Sequence, residues 1–283
     1  MEMKFDSQYQ GNECHKLNLD QYYTPYEVAE KCVLKTLEIL GKENISEFFE
    51  PSAGKGVFVE ALKNIIPEKE VVATDIEPKA GYIKKQDFLD YEVNLPYKKG
   101  RCFIGNPPFG ARLTVAQKFW KRCIHSGDYV AWILPISQFN NNLSMYEFDL
   151  VYSEDMGLIT FSGCKPVKCC FNVYRRPANA HFNKRPENDL KSVSFMRSDS
   201  NGYELFDYDF RIICWGGRCG KLLDDKEPDL AMVYKIKVND ESQKQKIKNI
   251  LTTTDWSEKR PSVSCKKLSK SIIVRVLKEN GVD

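Results

Sequence analysis

Four consecutive residues, Asn106-Pro107-Pro108-Phe109, combine two hydrogen-bond acceptors with a shortage of donors. The Asn106 side-chain oxygen and the Pro107 carbonyl both accept. Neither proline carries an N–H, so few donors compete for them. Such a segment can hold a planar amine by its two N–H bonds. Phe109 adds a flat face on which a nucleobase can stack. The residues ahead of it, Arg101-Cys102-Phe103-Ile104-Gly105, read as a short buried strand, which puts the tetrapeptide at a strand end. The alternative for the tetrapeptide alone is a proline-stiffened strand exit without chemistry.

A second constellation lies upstream. Ile45 to Glu50 reads as a strand ending on an acid, and Pro51-Ser52-Ala53-Gly54-Lys55-Gly56 follows as a tight loop. Apolar residues at helical spacing then run from Val57 to Ile66. The loop therefore meets a helix N-terminus, where free backbone N–H groups face a ligand. The next strand, Val71 to Thr74, ends in Asp75, placed to accept hydrogen bonds from two ribose hydroxyls. The dinucleotide fingerprint is incomplete, because Val59 stands where its third glycine belongs. Nor is there a phosphate loop, since Gly56 follows Lys55. Glu50 would repel a diphosphate but suits a cationic amine.

These residues, in this order, resemble the class I S-adenosylmethionine-dependent methyltransferases, specifically the DNA adenine-N6 methyltransferases. The resemblance covers about residues 20 to 176. It implies that Phe49 to Gly56, with Glu50, Pro51, Ser52, Gly54 and Gly56, form the cofactor loop. It implies that Asp75 binds the ribose and Ile76 packs on the cofactor's adenine. Asp87 and Phe88 resemble the segment that bonds the adenine amine and covers its ring. Asn106 to Phe109 resembles the catalytic tetrapeptide, with Phe where many members have Tyr. Phe171-Asn172-Val173-Tyr174 is similar to the late segment whose aromatic ring helps hold the flipped base, so Phe109 and Phe171 are the expected stacking pair.

Gln21-Tyr22-Tyr23-Thr24-Pro25 supports two readings at once. Thr24 is a good N-cap, Pro25 a good first helical residue, and Glu27 completes a capping box for a helix ending at Gly41. In the resembled family this segment, here Tyr23 and Thr24, closes over the methionine end of the cofactor. Its place ahead of the cofactor loop matches the gamma motif order, in which target recognition comes last, and favours nucleic acid.

The elements that must position these groups alternate strand and helix through residue 135. Strands are expected at Tyr82–Lys85, Cys102–Gly105 and Tyr129–Leu134 besides those above, with a crossover helix over Thr114–Ile124. Such alternation gives a parallel sheet with helices on both sides. Gly157–Phe161 and Cys169–Tyr174 pair as an antiparallel edge hairpin. The fold class is α/β, a Rossmann-like methyltransferase sheet with a smaller C-terminal α+β region. Residues 1–176 are the expected catalytic domain, 177–190 a linker and 191–283 a target-recognition region. In the last, strands are expected at Val193–Met196, Phe210–Cys214 and Ala231–Val238, and helices at Asp240–Leu251 and Lys270–Glu279. The turn Trp215 to Lys221 either reads bases or folds its Trp inward.

Composition agrees. With 283 residues, 42% of them hydrophobic, the chain can bury a full core, and it has no long apolar run. Its start is no signal peptide, so a cytoplasmic location is expected. The net charge is only +3, but residues 235–283 carry twelve Lys/Arg against six Asp/Glu. A basic region of this kind would contact DNA phosphates. The lysines of Gln243 to Asn249 read instead as a solvated helix face. The ten cysteines are expected to be reduced. Cys164/Cys169 and Cys214/Cys219 are too widely spaced, and too far from any His, for a usual zinc site, and no metal is expected. His15, His125 and His181 have no ligand spacing.

The implied reaction is direct methyl transfer from S-adenosylmethionine to adenine N6 in DNA, with base flipping. RNA adenine, a protein glutamine amide, cytosine N4 and an inactive nucleic-acid-binding module are the alternatives.

Overall fold

The computed structural model describes residues 23–90, 94–162, 166–229, 232–257 and 268–283. His15, Gln21, Tyr22 and Cys164 lie outside them. The chain divides into two compact units at Arg185/Pro186.

The first unit is organised by strands that alternate apolar side chains between two faces. Its elements are α1 (Tyr26–Leu40), β1 (Glu47–Glu50), α2 (Val57–Ile65), β2 (Glu70–Asp75), β3 (Lys84–Lys85), β4 (Arg101–Gly105), α3 (Thr114–Ser126), β5 (Tyr129–Pro135), β6 (Asp149–Ile159) and β7 (Val167–Arg175). They form one sheet in the order β3-β2-β1-β4-β5-β7-β6. The first five strands are parallel, and β7 runs antiparallel between β5 and β6.

Side-chain parity fixes the layers. Phe48, Cys102, Ile104, Ala131, Ile133, Phe171 and Val173 point to the face covered by α1 and α2. Phe49, Phe103, Val130, Trp132, Leu134 and Tyr174 point to the face covered by α3. Helix α1 supplies Ala29, Cys32, Val33, Thr36 and Leu40, three or four residues apart, and α3 supplies Phe119, Trp120 and Cys123. Trp120 packs edge-on against Trp132, Phe148 and Tyr174, and its Nε1 donates to buried Glu147 at 2.7 Å. Helix α1 stops at Gly41, whose φ of 77° carries the chain out with its N–H on the Leu37 carbonyl.

Two strands depart from expectation. β3 is reduced to two residues. β6 is eleven residues long, far longer than Gly157–Phe161, and its register shifts at Leu150/Tyr152 and Asp155/Gly157. Those irregularities break the period-2 pattern that would have revealed it.

The second unit packs β8 (Val193–Arg197), β9 (Phe210–Ile213), β10 (Leu222–Leu223) and β11 (Val233–Val238) as an antiparallel sheet, order β10-β9-β11-β8. Helices α4 (Lys244–Thr253) and α5 (Lys270–Glu279) contribute Ile247, Leu251, Ile273 and Leu277 to its core. Trp215 is exposed rather than folded inward, and Arg218 beside it pairs with Glu227. Lys237 and Lys244 meet Asp207 and Asp209 at 2.8 and 2.6 Å, so part of the basic charge is locally balanced.

Asn172 is the polar keystone of the first sheet's antiparallel side. It is 0% exposed, accepts from Ser153 Oγ at 2.7 Å, and donates to the Gln138 carbonyl at 2.8 Å and Tyr174 Oη at 2.9 Å. Ser153 Oγ in turn accepts the Asn140 N–H at 2.9 Å. The network ties the segment after β5 to β6 and β7. Asn172→Ala strands several buried polar groups and should cost about 2–4 kcal/mol in urea unfolding. A loss below about 0.5 kcal/mol would show that the network does not hold the sheet.

Candidate active site

Glu50, Asp75 and Asn106 collect at the carboxyl ends of the parallel strands, where ligands of open α/β sheets bind. Strand β1 ends on Glu50, β2 on Asp75, and β4 on Gly105, just before Asn106.

The loop from β1 to α2 is held open from below. Gly54 and Gly56 have φ of 52° and 85°, and Gly56 is the residue at the N-terminus of α2. The Ala53 N–H donates to the Thr74 carbonyl at 3.0 Å. Asp75 accepts the Gly54 N–H on Oδ2 and the Glu77 N–H on Oδ1, each at 2.7 Å. Asp75 therefore locks the loop to the end of β2, while Ile76 next to it is 50% exposed.

Glu50 is the electrostatic anomaly. It is 2% exposed, and its Oε2 finds no hydrogen-bond partner among the described residues. Burial pushes its carboxyl well above the usual range, the nearby Asp75 pushes it the same way, and a bond from the Val59 backbone offsets part of this. Gly105 packs against it. A Cβ there would lie 3.4 Å from Glu50 Cγ, and φ is 144°.

The Asn106 segment closes the cleft from the β4 side. Asn106 Nδ2 donates to Thr24 Oγ1 at 3.4 Å, and Ser52 Oγ donates to the Asn106 carbonyl at 3.4 Å. Half-buried Phe109 uses its carbonyl to accept the Val115 and Ala116 N–H groups at 3.2 and 3.3 Å, anchoring the segment to the start of α3. Beyond it the backbone is left-handed at Gly110 (φ 65°), Arg112 (54°) and Leu113 (67°). Two consecutive non-glycine residues there store strain next to the candidate tetrapeptide.

Tyr23, Thr24, Glu50, Ser52, Gly54 and Asn106 line one cleft. The Tyr23 carbonyl accepts the Ser162 N–H at 3.2 Å. The Tyr23 ring covers Gly54, where a Cβ would lie 3.3 Å away, and Lys55 Nζ sits 4.5 Å from its centroid. Sequence reasoning passed over Lys55 because its partner is thirty-two residues away and neither residue signals the other.

Three expected roles change. Thr24 does not cap α1: Pro25 occupies the N-cap, no side-chain cap bond forms, and the buried Thr24 hydroxyl turns to Asn106 instead. Phe171 is not a base-stacking residue. It is 1% exposed and shares the α1/α2 core with Ile133 and Val173. Phe88 is 2% exposed and packs on Phe49, Phe103 and Phe119 at 5.8, 6.0 and 5.1 Å. Asp87 accepts the Leu89 N–H at 2.8 Å. Pro51 and Gly56 lie in the turns that bound the cofactor-type loop, and Pro107 and Pro108 follow Asn106. Among the described residues no cluster of three His, Cys, Asp or Glu could hold a metal ion, and Cys169 lies in the core.

The Glu50 environment gives a pH signature. With its folded value raised above the ordinary 4.5, the unfolded chain releases this proton first as pH rises. Stability contributed by the site therefore falls from the ordinary carboxylate range upward. Thermal unfolding of the ligand-free protein should show Glu50→Gln more stable than wild type at pH 7, with the difference vanishing near about pH 4. A wild type that gains on the variant as pH rises would contradict the assignment.

No protein-family profile and no curated protein matches the chain. Solved structures do. A candidate RNA methyltransferase from Pyrococcus horikoshii aligns over 60% of this chain and 93% of its own, at 17% identity and a TM-score of 0.46. A candidate class I S-adenosylmethionine-dependent methyltransferase from Listeria monocytogenes aligns over 58% and 63%, at 11% identity and 0.43. A SAM-dependent methyltransferase from Aquifex aeolicus aligns over 52% and 97%, at 15% identity and 0.34.

Proposed function

We propose that this chain transfers a methyl group from S-adenosylmethionine to the N6 amine of adenine in DNA. The observation that carries the reading is the Asn106-Pro107-Pro108-Phe109 segment at the end of β4, whose Asn106 shares one cleft with Glu50, Ser52 and Thr24.

The donor set fits the cofactor. Glu50, with a buried oxygen awaiting a donor, matches the cationic amine of a methionine moiety. Asp75 at the end of β2 is the ribose acceptor, the Gly54–Gly56 turn lets a ligand approach the backbone, and exposed Ile76 offers an apolar face to an adenine. When bound, the cofactor supplies a methyl group on a sulfonium, whose S–CH3 bond breaks as the N–CH3 bond forms.

The chain's own residues align and polarise the acceptor. An exocyclic amine is a weak nucleophile because its lone pair is delocalised into the ring. The Asn106 oxygen and the Pro107 carbonyl accept its two N–H bonds, favouring a pyramidal nitrogen with its lone pair free. No general base is needed before transfer, since the alkylated amine is strongly acidic and loses its proton afterwards. Phe109 stacks the base, which a duplex must first release. Alignment is the main contribution. Residues 191–283, with their own core and basic content, are assigned to target reading.

Incubation with methyl-labelled S-adenosylmethionine and, separately, duplex DNA, structured RNA and a protein extract tests the reading. N6-methyladenine in DNA is the expected product. Label in RNA or protein alone would overturn the substrate, and no label anywhere would overturn the activity. Asn106→Ala should lower transfer by at least about a hundredfold while cofactor binding persists. Asp75→Ala should weaken cofactor binding.

A further inference from the structure

We infer that Thr24 is a positioning residue for Asn106, setting which end of its amide faces the target amine. The inference rests on the proposed amine methylation and goes beyond a cofactor contact for Thr24.

An asparagine amide has one accepting end and one donating end, and a half-turn about its last torsion exchanges them. Only the accepting end can hold an N–H of the target. Presented the other way, the NH2 meets the amine donor to donor. The amide therefore needs a fixed acceptor on its nitrogen. Thr24 Oγ1 takes that place, 3.4 Å from Asn106 Nδ2. A hydroxyl can also donate, but a donating Thr24 would consume the oxygen that the reaction requires.

The remaining duties of Thr24 support this assignment. It is buried, yet its hydroxyl makes no cap to α1, and Pro25 already stands at the N-cap. Its backbone position is over-determined. The Tyr23 carbonyl is held by Ser162 at the tip between β6 and β7, the Tyr23 ring lies on Gly54, and the Pro25 carbonyl accepts the Ala29 N–H at 3.1 Å. The hydroxyl is thus delivered from a rigid strap to a residue eighty-two positions away.

Thr24→Val removes the hydroxyl and keeps the shape, whereas Thr24→Ser keeps the hydroxyl. Three quantities separate the possibilities: affinity for S-adenosylmethionine by calorimetry, methylation of unmethylated duplex DNA at saturating cofactor, and the Asn106 side-chain amide resonances, identified by their loss in Asn106→Asp. Thr24→Val should bind cofactor within about threefold of wild type, turn over roughly tenfold more slowly and shift the amide pair. Thr24→Ser should restore both. Unmoved amide resonances in Thr24→Val, or turnover recovered by more cofactor, would overturn the assignment. If the wild type methylates no DNA, the reaction reading fails, and the amide resonances alone decide the Thr24–Asn106 link.

Discussion

A carboxyl group buried at the end of β1 is the constraint around which the first unit is arranged. Glu50 sits between β2 and β4, out of water, with one oxygen unanswered. Removing a carboxylate from water costs several kcal/mol unless it is paired or protonated. A chain selected for stability alone would place an apolar residue there. The Val59 backbone supplies a compensating bond. Asp75 raises the cost further and is itself tied to the loop through Gly54. Under the function proposed above, the cationic amine of the cofactor answers that oxygen, and the rest of the sheet supplies the rigidity.

That rigidity comes from the two-faced core and from a few polar ties. Parity along β1, β4 and β5 sends alternate residues to opposite layers, so one strand set anchors α1 and α2 below and α3 above. Glu47 at the start of β1 pairs with Arg101 at the start of β4 and with Lys98 at 2.5 Å, pinning the strands at the end remote from the cleft. Asn172 does the same for the antiparallel side. The cleft end is left to loops whose unusual backbone is local to Gly110, Arg112 and Leu113.

Local chemistry was legible in the sequence, and orientation across the sheet was not. The parallel strands through β5, apart from the two-residue β3, the crossover helices and the stations of Glu50, Asp75 and Asn106 follow from short segments whose residue types state their conformation. Phe171 failed because strand periodicity shows that neighbours face opposite ways without showing which layer each faces. Thr24 failed differently. The Thr-Pro-x-Glu pattern is a sound capping signal, but a tertiary contact with Asn106 claims the hydroxyl. The full length of β6 was hidden by its register shifts, and β10 by being two residues long.

The margins of the first sheet have a consequence for association. One border is β3, with two residues; the other is β6, whose longest run in register is Tyr152–Asp155. An incoming strand needs a continuous row of backbone groups to zip along, and neither border offers more than about one turn of the pleat before the lattice breaks. The short border and the bulged border therefore each hinder edge addition to this sheet.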